Sequence, residues 1–101
     1  MFDRTDLIRL LERYTVSNHP ALGLHSVIPL PFPGDIKLSV RVGPLTASIP
    51  ENARLWREVE SVELALLENG KATRVKGYVP LEWVGLLLEQ VTEGHIPTLE
   101  G

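Results

Sequence analysis

The chain has 101 residues, 10 Lys and Arg against 13 Asp and Glu, a net charge of -3 and no cysteine. That length suits one domain with a modest core, and the missing cysteine excludes disulfides, thiolate nucleophiles and sulfur-ligated zinc. The acidic balance argues against a whole-surface hold on nucleic acid, the charged start MFDRTDLIRLLER against a secretory signal, and the longest apolar run, VGLLL at 84–88, against a membrane span.

These exclusions predict a soluble, cytoplasmic single domain over 1–101. Its first element is an amphipathic helix: Leu7, Leu10, Leu11 and Tyr14 recur at helical spacing, with Arg9, Glu12 and Arg13 on the opposite side. Asp3 is the expected N-cap, with Asp6 three residues on, and both acids suit the positive end of the helix dipole. TVSNHP then brings β-branched, turn-forming and Pro residues together, so 15–20 reads as a loop.

The stretch HPALGLHSVIPLPFPGD, 19–35, holds His19, His25 and four prolines. A short strand is expected at 24–28. A structural zinc site needs about four ligands, and His95 is the only further histidine, so no metal is assigned. Asp35 is the nearest carboxylate that could partner a histidine, but sequence fixes no geometry between them. PLPFP lacks PxxP spacing and reads as a stiff extended connector, with Leu30 and Phe32 covering the core edge.

IKLSVRV alternates strictly, placing Ile36, Leu38, Val40 and Val42 on one face of a strand. Gly43 and Pro44 predict a tight turn that would set Val42 against Leu45, Val40 against Ala47 and Leu38 against Ile49. Next, 53–67 carries both a helical and a strand pattern; a short helix or turn around ENARLW followed by a strand from about Val59 fits better. Asn69-Gly70 is the strongest short-range hairpin signal, pairing Glu68 with Lys71, Leu66 with Thr73, Leu64 with Val75 and Glu63 with Lys76. The neighbouring GKAT fails as a phosphate loop, because Ala65 and Ala72 stand where Gly and a hydroxyl residue are required.

The last element is a helix opened by Pro80 and stopped by Gly94, with Leu81, Val84, Leu87, Leu88 and Val91 as its buried stripe and Gly85 marking a close approach. Residues 95–101 read as a loosely held tail. The order predicts an α+β fold: an antiparallel sheet of about four strands in two hairpins, packed on one face by an N-terminal and a C-terminal helix.

The proposed registers gather Lys37, Arg41, Arg74, Lys76 and Tyr78 on the polar sheet face beside Ser39, Thr46 and Ser48, which suggests single-stranded nucleic-acid binding as the alternative function. The same face displays Ala65, Leu67 and Ala72, which a monomer has little reason to expose. Trp56 reads as core, and Trp83, off the Leu81, Val84, Leu88 line, as an interface anchor. With no nucleophile and base, no paired carboxylates and no cofactor motif, the first expectation is a non-catalytic, cofactor-free interaction or regulatory module. It would associate with itself as a homodimer, or with a protein partner, through the open sheet face or the last helix.

Overall fold

The computed structural model describes residues 3–97 and 99. Helix α1, Arg4–Arg13, is followed by β1 Thr15–His19, β2 Gly23–Pro29 and β3 Ile36–Val42. A 3-10 turn at Trp56–Glu58 then leads to β4 Ser61–Glu68, β5 Lys71–Pro80 and α2 Leu81–Thr92. The five strands form one antiparallel sheet in sequence order, β1-β2-β3-β4-β5. The fold is α+β with five strands rather than four, and both helices lie on the sheet face that carries Leu38, Val40, Leu64 and Leu66.

Local chemistry explains the ends of the elements. Asp3 caps α1, its Oδ1 accepting from the Asp6 amide at 2.8 Å. At the other end, the Leu11 carbonyl accepts from the hydroxyls of Thr15 at 2.7 Å and Ser26 at 2.9 Å, fastening the helix to the strands that follow. Arg4 reaches the carbonyls of Arg57 and Val59, and the Trp56 indole donates to the Thr15 hydroxyl at 2.9 Å. Trp56 is therefore a core residue with its polar atom satisfied.

The chain departs from the sequence reading in three places. Residues 15–19 are a strand, not a loop: Thr15 pairs with Ser26 and His19 with Gly23, across a bulge that leaves Val16 exposed. The Gly43-Pro44 hairpin does not form. Both edges of β3 are taken, with Val42 opposite Leu24 on β2 and Leu38 opposite Leu66 on β4, so 45–49 has no edge to join. Thr46 and Ser48 instead bond Gly43 through their hydroxyls, the local alternative to a ladder. Only Ile49 makes a bridge, to Ser61.

The third departure lies in the Asn69-Gly70 hairpin. Asn69 and Gly70 both take positive φ, 53° and 82°, and Glu68 pairs with Lys71 as expected. Thr73 then drops out of the ladder, its hydroxyl donating to the Leu66 carbonyl, and Leu66 meets Arg74 while Leu64 meets Lys76. This bulge shifts the register by one, which exchanges the two faces of β5. Val75 consequently lies over the open face opposite Ala65, and Lys76 shares a face with Leu64.

The stripe of α2 buries Leu81, Val84, Gly85, Leu88 and Val91, with Leu87 partly covered. Gly85 lies across a narrow seam from Leu7 of α1. Within the tail, residues 98, 100 and 101 lie outside the described residues, whereas Pro97 and Leu99 are buried. No helix among the described residues is long and apolar enough to cross a membrane.

Candidate functional site: a groove between the edge strand and the last helix

A groove of about 440 Å3 lies between β5 and α2. Leu64 and Val79 form its floor, Trp83, Leu86, Leu87 and Gln90 one wall, and Lys76 and Tyr78 the other, with Leu99 closing one side. Its rim is apolar and open: Tyr78 is 61% exposed, Trp83 55% and Leu86 56%. Three large apolar or aromatic side chains around one groove make a patch, which differs in kind from apolar residues scattered singly over a surface.

The helical wall follows from spacing. Trp83, Leu86, Leu87 and Gln90 stand at i, i+3, i+4 and i+7 and therefore share a face, beside the Leu81, Val84, Leu88 stripe that enters the core. The strand wall depends on a second irregularity in the β4-β5 ladder, between Val62 and Leu64, where Tyr78 takes φ 53°. The left-handed region is costly for a bulky aromatic, about 1–3 kcal/mol. Its surroundings enforce it: the Tyr78 amide donates to the Ala47 carbonyl at 2.8 Å, and Gly77 lies so close to Ala47 that a Cβ there would collide with the Ala47 side chain. The 43–49 loop thereby presents the Tyr78 ring at the rim.

The open sheet face is a different surface. Lys37, Ser39 and Arg41 of β3 share it with Ala65 and Leu67 of β4 and, through the bulged register, with Ala72 and Val75 of β5. Leu67, Ala65 and Ala72 are thus brought together, while Trp83 lies on the opposite side of the sheet. The five residues expected to form one basic face are divided, with Lys37 and Arg41 on the open face and Arg74, Lys76 and Tyr78 on the helix side. Lys37 pairs with Asp35 at 3.6 Å, and Glu63 faces Arg41 across the strands.

The histidines occupy separate places. His19 Nδ1 accepts from the Ala21 amide at 3.0 Å and shapes the β1-β2 turn. His25 Nε2 bonds the Ser39 hydroxyl at 2.8 Å, and burial together with the Arg41 charge holds its pKa below the ordinary value. Asp35 and His25 sit at opposite ends of the β2-β3 hairpin, since His25 pairs with Arg41 and Asp35 precedes Ile36. Among the described residues no group of three His, Asp or Glu is arranged to hold a metal ion.

The sequence marks Trp83 as an interface anchor, and Lys76 and Tyr78 only as members of a basic face; it singles out neither Leu86 nor a groove. A second apolar stripe on α2, off the core stripe, was the available signal for the helical wall. Nothing local signals the strand wall, because it depends on the bulge at Thr73 and on Ala47 lying against Gly77. Compared with models of known families, with curated proteins and with solved structures, the chain matches none of them.

Proposed function

We propose that this protein is a non-catalytic interaction module that associates with a second copy of itself through the last helix. The observation that carries this reading is the grouping of Tyr78, Trp83 and Leu86, all more than half exposed, around one apolar groove. Tryptophan and tyrosine are the side chains most enriched as interface anchors, and a two-fold arrangement would cover both patches at once. Leu67, Ala65, Ala72 and Val75 on the open face make a flatter second candidate, without a groove to receive an anchor. A chain that needs no disulfide suits the cytoplasm, where the proposal places it.

Single-stranded nucleic acid remains the alternative, but the division of the cations between two faces leaves no continuous basic track for a backbone to follow. Size-exclusion chromatography with light scattering, recorded at 260 and 280 nm, tests the reading. A mass of twice 11.2 kDa that falls to the monomer in Leu86→Asp with circular dichroism unchanged supports it. A wild type monomeric at every concentration overturns it, and excess absorbance at 260 nm removed by salt would transfer the function to nucleic acid.

A further inference from the structure

We infer that the open sheet face carries a binding site for a small aliphatic carboxylate, its oxygens held by Arg41, His25 and Ser17 and its short apolar tail by Leu22 and Leu45. The site lies across the sheet from the groove of β5 and α2 and does not depend on self-association.

Strand register sets the three polar side chains in a row. Ser17 of β1 lies opposite His25 of β2, and His25 lies opposite Arg41 of β3, so all three project from one face at a spacing of about 5 Å from strand to strand. Together with Leu22, Leu24 and Leu45 they line a pocket of about 170 Å3. One end of it is closed by backbone: a Cβ on Gly23 would run into the Val42 carbonyl, and one on Gly43 into the Leu22 carbonyl. Sites for drug-sized molecules occupy about 300–1,000 Å3, so the molecule that fits here is smaller than these.

The charge of the pocket selects an anion. Arg41 and His25 become like charges directly opposite each other once the imidazole takes a proton, and burial first and Arg41 second hold the His25 pKa below its ordinary value. Among the described residues no carboxylate lies within 4 Å of the Arg41 guanidinium. Glu63, opposite Arg41 on β4, has its Oε2 engaged by the Ala47 amide at 2.9 Å. A carboxylate between Arg41 and His25 supplies the missing negative charge, and the guanidinium fork matches its two oxygens. The Ser39 hydroxyl fixes the imidazole through Nε2 at 2.8 Å, which leaves Nδ1 as the ring nitrogen for a ligand. Leu22, 56% exposed, and Leu45, 81% exposed, flank this polar row, and apolar shoulders suit a carboxylate with an aliphatic tail better than a bare inorganic anion.

The test titrates labelled wild-type protein with sodium butyrate and follows the His25 ring signals, with sodium chloride at matched ionic strength as the control and the ring of His95, beyond α2, as the internal reference. The charged and titratable groups around His25 are Arg41 on β3, Glu63 beyond it on β4 and His19 on β1. The expected result is a saturable shift with a Kd of about 1 mM and a His25 pKa that moves up on binding, while His95 does not respond. Affinity should rise as the pH falls through the His25 pKa, beneath 6.5. Arg41→Gln should weaken butyrate about tenfold with circular dichroism unchanged, and Leu45→Ser, at a side chain outside the core, should bring butyrate close to acetate. A His25 shift no larger with butyrate than with chloride, or one that Arg41→Gln leaves unaltered, overturns the site. Acetate or inorganic phosphate binding the wild type as tightly as butyrate overturns the assignment of an aliphatic carboxylate.

Discussion

The two helices flank one sheet, and their outward surfaces differ. On α1, Leu7 and Leu11 are buried, Ile8 and Leu10 are partly covered, and no large apolar side chain of the helix is among the exposed ones. Its end is fastened by three polar links: two hydroxyls on the Leu11 carbonyl, and the Trp56 indole on Thr15. α2 commits more side chains to the core, Leu81, Val84, Leu88 and Val91, but carries a further stripe, Trp83 and Leu86 outermost, that the fold leaves in water. A helix with one apolar stripe is accounted for by its own domain, whereas a second stripe points to something outside it.

Substitutions can break or sharpen that contrast, and the largest effect should come from the core. Leu11→Ala should cost about 2–5 kcal/mol in denaturant unfolding, the range for a fully buried leucine, while Leu86→Ala changes the monomer's stability by less than about 0.5 kcal/mol. A cost for Leu86→Ala approaching that of Leu11→Ala would make the groove an ordinary part of the core. Trp56→Phe removes the indole donor to Thr15 and should cost about 1 kcal/mol, read in the same way.

Acid should act on the sheet's open face, apart from both helices. Because burial and Arg41 hold the folded-state pKa of His25 below the ordinary 6.5, the unfolded chain takes up its proton first as the pH falls. Stability from this group is level above that value and declines with acidification through the window beneath it. Arg41→Gln should make the decline shallower in thermal melts across pH. The smallest effects separate two buried serines. Ser26→Ala removes the bond to the Leu11 carbonyl and should cost up to about 1 kcal/mol. Ser61, beside the start of α2, is buried with no partner for its hydroxyl among the described residues, so Ser61→Ala should be neutral or stabilising.

Helix α1, the central strand and the last turn were legible in the sequence because their signals are local: the Asp3 cap, the Leu7 and Leu11 spacing, the alternation of 36–42 and the Asn69-Gly70 turn all depend on neighbours in the chain. What could not be read was set by distant contacts. The partner of β3 is decided by β2 and β4 together, which leaves the apolar residues of 45–49 without the pairing that their alternation suggests. The face of β5 turns on one hydroxyl, Thr73 on Leu66, and that single bulge divides a basic patch that an unbroken register would have gathered. Of the candidate site, Trp83 was visible as an aromatic off its helix's main stripe, whereas Tyr78 reaches the rim through a left-handed backbone held by Ala47.

The two tryptophans allow the contrast to be read within one molecule, in a dilution series of 15N-1H spectra following both indole N-H signals. Trp56 is 3% exposed and bonded to Thr15, and Trp83 is 55% exposed at the groove rim. A Trp83 signal that shifts or broadens with concentration while Trp56 stays fixed is the predicted result. Two signals that are both indifferent to concentration would contradict the assignment of the groove as the surface through which copies of this protein meet.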